Sequence, residues 1–312
     1  MSKLYDGLGL SVVIPVYNDE TVLPELFNRL LPALEKITNK FEVILVDDGS
    51  RDNSYQVMRE LKQVHEQLVL IKLTRNFGQS NAITAGLDNA SNEYIAIMDS
   101  DLQDPPEFLQ DLLHACISSG KDMAIARRIT RKDSWFKKTA SKIFNKISFW
   151  ATTISIEPGM GVYRVMTKKS FDKIKDVQEI TGTTLSLMYW SGFSYEAVDM
   201  NRDQRFAGKS GYTTRKMFRL AMDRIFSYSL WPLRFATMLG FVVALLSFIA
   251  GLMIIIRRLF FFVSVPGWAS SMVLILFMFG LNFIIMGMMG EYLGRIYLET
   301  KQRPKYVIEE KI

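Results

Sequence analysis

Twenty-two consecutive residues, 235–256, carry no charge between Arg234 and Arg257, and Leu, Ile, Val, Phe and Met dominate them. About 20 helical residues cross the ~30 Å hydrocarbon layer of a bilayer, whereas core helices of soluble proteins keep a polar stripe and rarely stay uncharged so long. A second uncharged stretch, 259–290, is broken by Pro266 and Gly267, which places its helix at about 268–290. Together the two predict a transmembrane hairpin.

Basic residues orient that hairpin. Arg215, Lys216, Arg219, Arg224 and Arg234 precede the first span and Arg295, Lys301, Arg303, Lys305 and Lys311 follow the second, against Arg257 and Arg258 between them. Positive charge is retained on the cytoplasmic side, so both termini are expected there. Trp231, Trp268, Tyr292 and Tyr297 stand where interfacial aromatics belong. The N-terminus has Lys3 and Asp6 before a strand-like run, without a secretory signal pattern. Gly280, Gly287, Gly290 and Asn282 suit close helix approach and a homo-oligomer through the membrane region; ordinary membrane-helix composition explains them equally well.

Ahead of the hairpin, short β-branched runs at 10–16, 41–46, 69–73, 94–98 and 123–126 alternate with amphipathic stretches at 21–37, 54–67, 80–90 and 105–119. That alternation predicts an α/β domain with a mostly parallel sheet covered on both faces. Ligands of such sheets bind beyond the carboxyl ends of the strands. Those ends read Pro15-Val16-Tyr17-Asn18-Asp19-Glu20, Asp47-Asp48-Gly49-Ser50, Thr74-Arg75-Asn76-Phe77-Gly78 and Asp99-Ser100-Asp101-Leu102-Gln103-Asp104. No glycine-rich phosphate loop follows the first strand, which argues against a dinucleotide site and a P-loop.

Asp99 and Asp101 stand two residues apart, so in extended backbone both carboxylates face one way and can meet one hard cation, Mg²⁺ or Mn²⁺. Such an ion bridges the phosphates of a sugar nucleotide and stabilises charge on the departing diphosphate. The spacing alone is weak; its place at the end of an apolar strand gives it weight. Asp47 and Asp48 suit hydrogen bonds from a base or ribose, or else turn chemistry. Arg75 offers a planar fork to a phosphate or base, or a surface ion pair.

The remaining chemistry-bearing residues exclude more than they suggest. Cys116 is the only cysteine, so no intrachain disulfide exists, and His65 and His114 stand far apart without cysteine partners, leaving no imidazole-rich zinc site. The excess of 38 Lys+Arg over 32 Asp+Glu is concentrated in 121–150 and 201–234. Over about 134–150, Phe136, Ala140, Ile143, Phe144 and Ile147 share one helical side and Lys138, Lys142 and Lys146 another, the pattern of an interfacial helix on anionic lipid. The aromatics there are not spaced as base-stacking platforms, so nucleic acid is not an expected partner.

Val13-Ile14-Pro15-Val16-Tyr17-Asn18, Val46-Asp47-Asp48-Gly49-Ser50 and the two later strand-end motifs, in this order, resemble family 2 glycosyltransferases of the GT-A fold. Phe206-Ala207-Gly208-Lys209-Ser210, Trp231-Pro232-Leu233-Arg234 and Gly290-Glu291-Tyr292-Leu293-Gly294-Arg295-Ile296-Tyr297 extend the resemblance to bacterial polyprenyl-phosphate glycosyltransferases. These include bactoprenol glucosyltransferases and undecaprenyl-phosphate formamido-arabinose transferases.

The resemblance implies inverting transfer of a sugar from a nucleotide diphosphate, such as UDP-glucose or a UDP-linked modified arabinose, to polyprenyl phosphate at the bacterial cytoplasmic membrane. A flippase is a possible downstream partner. It implies Asp99, Asp101 and Gln103 at the metal, and Pro15, Tyr17, Asn18, Glu20, Asp47, Asp48, Arg75, Asn76, Gly78, Ser100, Arg127 and Ser210 around the nucleotide. Asp101, Arg205 and Lys209 would serve catalysis, and Arg128, Arg131, Ser134 and Lys137 the lipid phosphate. Relatives place an acidic residue before a Gly-x-Phe-Arg-like segment; here Glu157 is the acidic candidate, and Gly159 fits the position equally. A phosphate nucleophile is already anionic and needs no base.

The expected organisation is a catalytic domain over 1–210, an amphipathic juxtamembrane helix over 211–232, the membrane segment over 233–290 and a cytoplasmic tail over 291–312. Two other readings stand beside it. A processive synthase needs a Gln-x-x-Arg-Trp motif and a channel that this chain lacks, and a catalytically idle sugar-nucleotide sensor would bind donor without turnover.

Overall fold

The computed structural model describes residues 4–128, 159–177, 183–201, 231–261 and 267–312. They form two compact units. The first is an α/β unit whose eight strands run in the order β7-β5-β6-β4-β1-β2-β3-β8. β1 is Gly9–Val16, β2 Lys40–Asp47, β3 Leu68–Leu73, β4 Tyr94–Ile97, β5 Met123–Arg128, β6 Met160–Thr167, β7 Tyr195–Met200 and β8 Ile308–Lys311. β1 lies parallel to β2 and β4, β2 to β3, and β5 to β7. β6 runs antiparallel to both β4 and β5, and β8 antiparallel to β3, so the sheet is mixed with a parallel majority, in keeping with the GT-A expectation.

The first five strands match the apolar runs because each is buried on both faces. β1 is buried along its whole length, and its alternate residues feed two clusters. Leu10, Val12, Ile14 and Val16 join one face, Val13 the other. On the first face α1 (Leu23–Ile37) buries Leu23, Leu26, Phe27, Leu30, Leu34 and Ile37, a spacing of three and four that puts one apolar stripe against the sheet. α4 (Leu109–Ser119) adds Leu109, Leu112, Leu113 and Cys116 there, after a 3₁₀ turn at Pro106–Phe108. α2 (Ser54–Val64) buries Met58. The opposite face takes α3 (Gln79–Asp88), α5 (Lys168–Asp172) and α6 (Thr184–Trp190), through residues such as Ala82, Ile83, Phe171 and Leu187.

Three strands escape the sequence pattern. β6 carries Arg164 at its centre, fully buried yet donating to the carbonyls of Val162 and Gly161 at 3.1 and 2.8 Å and lying over the Tyr189 ring. Burial pushes its pKa below the usual guanidinium value. β7 alternates with Glu196 and Asp199, and β8 reads Ile-Glu-Glu-Lys, polar as edge strands are.

The second unit holds α7 (Trp231–Phe261) and α8 (Trp268–Thr300), both long and apolar enough to cross a membrane, with their large apolar side chains exposed. Both exceed the expected spans: α7 continues through Arg257 and Arg258, and α8 runs ten residues past 290. The stretch 291–312, expected as one tail, thus divides between the last turns of α8 and a strand of the sheet. The interfacial helix expected at 134–150 lies outside the described residues, as does the juxtamembrane helix at 211–232 except Trp231 and Pro232, which begin α7.

Candidate active site

The carboxyl ends of β1, β2, β3 and β4 share one edge of the sheet. Strand register aligns them: Val16 pairs with Asp47, Asp47 with Lys72 and Val13 with Ile97. Backbone bonds from Asp48 N–H to Val16 O (2.9 Å) and Met98 N–H to Val13 O (3.1 Å) carry the alignment one residue further. Each motif then turns away from the sheet within reach of the others.

At the tip of β1, Asn18 adopts left-handed backbone (φ 57°), a conformation Asn tolerates better than most residues. Its N–H donates to Ser50 Oγ at 3.0 Å and its side-chain oxygen accepts the Arg51 N–H at 2.8 Å. Glu20 accepts the Asn53 N–H at 2.8 Å. These two side chains therefore brace the β2 loop, while Tyr17 stays exposed. Asp19, which sequence reasoning passed over, accepts the Ser100 hydroxyl at 2.6 Å and ties the β1 tip to the β4 tip. Burial raises its pKa, partly countered by that hydrogen bond.

The β2 aspartates are both buried. Asp47 accepts the Ser50 N–H at 3.2 Å; Asp48 accepts Phe77 N–H at 2.7 Å and Gly78 N–H at 2.9 Å, one on each carboxylate oxygen. Turn chemistry accounts for these contacts, with Asp48 fastening the β3 loop. Burial raises both pKa values, against the lowering effect of these bonds. Gly49 (φ 68°) lies under the same loop, where a Cβ would come within 2.6 Å of the Arg75 and Asn76 backbone. Pinned on two sides, the loop presents exposed Arg75 and Asn76; the Arg75 guanidinium stacks on the Phe77 ring at 4.4 Å.

Past Gly78 the chain enters α3 and Gln79 Nε2 donates to Asp99 Oδ1 at 2.6 Å. In the sheet order β4 and β3 are separated by β1 and β2, so this loop arches over both to reach the acidic motif. Gln79 is a second site residue missed from sequence, where it stands just before the helix expected at 80–90; the structure begins α3 one residue earlier. Asp101 Oδ1 accepts the Gln103 N–H at 3.2 Å, and Leu102 between them is left-handed (φ 56°), an unfavourable conformation for Leu that turns the segment sharply. Asp99, Asp101 and Gln103 remain partly accessible; Leu102 and Asp104 are buried.

Among the described residues no cluster of three or more His, Cys, Asp or Glu side chains is arranged to hold a metal. The protein's contribution would be the two carboxylates Asp99 and Asp101 and the amide of Gln103, all hard oxygen donors. That set fits Mg²⁺ or Mn²⁺ of the kind held by one or two carboxylates plus substrate phosphates and water.

The two arginines at the end of β5 are already engaged. Arg128 pairs with buried Asp104 at 3.4 Å and lies across Gly161, whose Cβ would meet the guanidinium at 2.8 Å. Tyr163 O–H donates to Pro105 O at 2.9 Å, fixing the other side of the acidic loop. Arg127, expected at the nucleotide, pairs with Asp199 of β7 at 2.5 Å. The two side chains are register partners on adjacent parallel strands. Glu157, Arg131, Ser134, Lys137, Arg205, Lys209 and Ser210 lie outside the described residues.

Residues 11–175 match the family model described as Glycosyl transferase family 2. The chain belongs to that family. Its curated relatives match almost end to end. A glycosyltransferase of Synechocystis sp. is 38% identical over 304 residues, covering 97% of this chain and 95% of the relative. The bactoprenol glucosyl transferase of Shigella phage SfV is 35% identical over 303 residues, 97% of this chain and 98% of its own. The undecaprenyl-phosphate 4-deoxy-4-formamido-L-arabinose transferase of Proteus mirabilis is 36% identical over 309 residues, covering 96% and 93%. With no more than about 4% of the chain left unmatched, the similarity takes in the apolar helices, so this glycosyltransferase shares with these relatives more than a catalytic domain.

Proposed function

We propose that this glycosyltransferase moves a sugar from a nucleotide diphosphate, UDP in the first instance, onto polyprenyl phosphate at the cytoplasmic face of a bacterial membrane. The observation that carries the proposal is the convergence of Asp99 and Asp101 with the Arg75–Asn76 loop on one sheet edge, in a chain with two helices apolar enough to hold it beside a lipid acceptor. Relatives named for transfer to bactoprenol and undecaprenyl phosphate support the acceptor class.

The reaction is a direct displacement. A phosphate oxygen of the lipid forms a bond to the anomeric carbon as the bond to the nucleotide diphosphate breaks, and the diphosphate leaves with the electron pair, inverting the configuration. Arg75 and Asn76 hold the nucleotide against the ends of β2 and β3. Arg205, Lys209 and Ser210 approach the diphosphate, and Arg128, Arg131, Ser134 and Lys137 receive the lipid phosphate. Asp99, Asp101 and Gln103 would hold Mg²⁺ or Mn²⁺, which when bound would supply positive charge against the diphosphate. No general base is required, so Glu157 is dispensable in this scheme. The membrane-spanning orientation with both termini inside, the interfacial helix at 134–150, self-association through the second span and a downstream flippase belong to the same proposal.

The test is a panel of UDP-sugars offered to purified protein with undecaprenyl phosphate and either cation, with products identified by mass spectrometry and anomeric configuration by NMR. One donor is expected to yield a sugar phosphodiester of inverted configuration. Donor binding without UDP release on adding the lipid would instead make the protein a sensor.

A further inference from the structure

The last strand of the sheet is also the last segment of the chain. β8 follows α8 after residues 301–307 and adds antiparallel to β3, pairing Ile71 with Lys311, Lys72 with Glu310 and Leu73 with Ile308. Leu70 and Ile312 exchange two backbone bonds, at 2.9 and 3.0 Å. Lys72 Nζ donates to Glu309 at 2.9 Å and Tyr55 O–H to Glu310 at 2.7 Å. An edge strand with this composition has an ordinary reading, that it simply caps an open sheet edge.

Lys305 Nζ reaches Val177 O at 3.4 Å, and from Tyr306 onward the other hydrogen bonds fall on one segment. Val307 O accepts the N–H of Thr74 at 3.0 Å, the residue immediately before Arg75. Tyr306 O–H donates to Asp88 at 2.7 Å and Lys311 Nζ to Asn89 Oδ1 at 2.8 Å, the last residue of α3 and its C-cap. Between these points lie Arg75 and Asn76, the backbone held by Asp48, and Gln79 with its bond to Asp99. Residues 306–311 thus hold the donor-side loop and helix, 74–89, at both ends, while Asp48 and Gly49 hold it over 75–78 and α3 packs on β1 and β2 between.

We propose that β8 is a positioning element for the donor site, one that clamps residues 74–89 and is in place only after both apolar helices have been synthesised. It touches no reacting atom. Its effect runs through Thr74 to Arg75 and Asn76, and through α3 to Gln79 and Asp99. The inference rests on the reading of this edge as the donor site.

The test compares the full chain with one ending at Lys305, both in detergent, by hydrogen exchange with mass spectrometry. Exchange across 74–89 is expected to accelerate about tenfold or more while β1 keeps its protection, and a synthetic peptide of residues 304–312 added in trans should restore it by re-forming the strand. Tyr306→Phe, which removes only the bond to Asp88, should loosen the end of α3 by a few-fold. The dissociation constant for UDP should rise with the truncation by about tenfold while KM for undecaprenyl phosphate stays within twofold. Equal exchange over 74–89 in the two chains overturns the proposal, and so does an equal loss of protection in β1 and 74–89, which marks general destabilisation. Failure of the full chain to bind UDP sinks the donor reading alone, because the exchange experiment contains no ligand.

Discussion

Two acidic strand tips, at β2 and at β4, look alike as sequence and sit in different surroundings. Asp47-Asp48 and Asp99-Ser100-Asp101 each end an apolar parallel strand on the same edge. At β2 the carboxylates are buried, and Asp48 gives an oxygen to each of two backbone N–H groups. At β4 the left-handed turn at Leu102 swings the segment out, leaving Asp99 and Asp101 partly accessible. The difference teaches that acids at strand ends on one edge can part ways: the β2 pair is spent on the loop, while the β4 pair stays accessible, as the proposed donor site requires.

The sharpest way to break this contrast is to remove one acid from each tip. Asp101→Ala should lower transfer by about a thousandfold, a loss comparable with removing a group that stabilises transition-state charge, while the thermal midpoint of the purified protein moves little. Asp48→Ala should do the reverse in the first instance. It leaves two part-buried N–H groups without their acceptor, at a cost of about 2 kcal/mol of stability, and donor affinity falls with the order of the loop. Near-normal turnover in Asp101→Ala, or unchanged unfolding in Asp48→Ala, would reverse the assignment.

A smaller effect is expected where the β4 loop meets β5. Gly161→Ala places a methyl against the Arg128 guanidinium and should push it from Asp104. Steady-state kinetics should then show KM for the lipid acceptor up by about tenfold with donor KM unchanged, the pattern of a lost ground-state contact. A rise in donor KM alone would move Arg128 to the nucleotide side.

Titration sharpens the comparison further. Burial raises the folded-state pKa of Asp47, as of Asp48 and Asp19. The folded state therefore binds protons more tightly than the unfolded chain. The resulting stability is fully present below the ordinary carboxylate range and is lost as pH rises through the raised values. Asp47→Asn keeps an acceptor for Ser50 but cannot ionise, so its stability relative to the parent should increase from about pH 3 to about pH 7, read by denaturant unfolding across pH. A flat difference would mean that Asp47 is solvated in solution.

The least demanding check concerns the core under α4, near the starts of β4 and β5. Cys116 is buried, and burial pushes its thiol up to about 11. As the only cysteine, it should resist alkylation at pH 8 in the native protein and react at once on unfolding; rapid native labelling would show that α4 opens away from the sheet.

Periodicity and composition were enough to read the first five strands, because each is apolar on both faces, and the two long apolar helices, because charge is absent for longer than any soluble core helix requires. They also placed Asp99 and Asp101, since a strand end followed by Asp-x-Asp is a local pattern. Arg127 and Arg128 show the limit: side by side in sequence, they turn to Asp199 and Asp104, on elements 72 and 24 residues away.

The sequence by itself determined the alternating α/β order, the apolar hairpin and the chemical types at the strand ends, all of which depend on neighbours within a few residues. Only the tertiary structure decided that Asp48 is spent on the β3 loop, that Gln79 reaches Asp99 across two strands, and that the polar segment Ile308–Lys311 completes the sheet. Hydrogen bonds between segments distant in the chain leave no periodic trace, because each needs a donor and an acceptor brought together by packing.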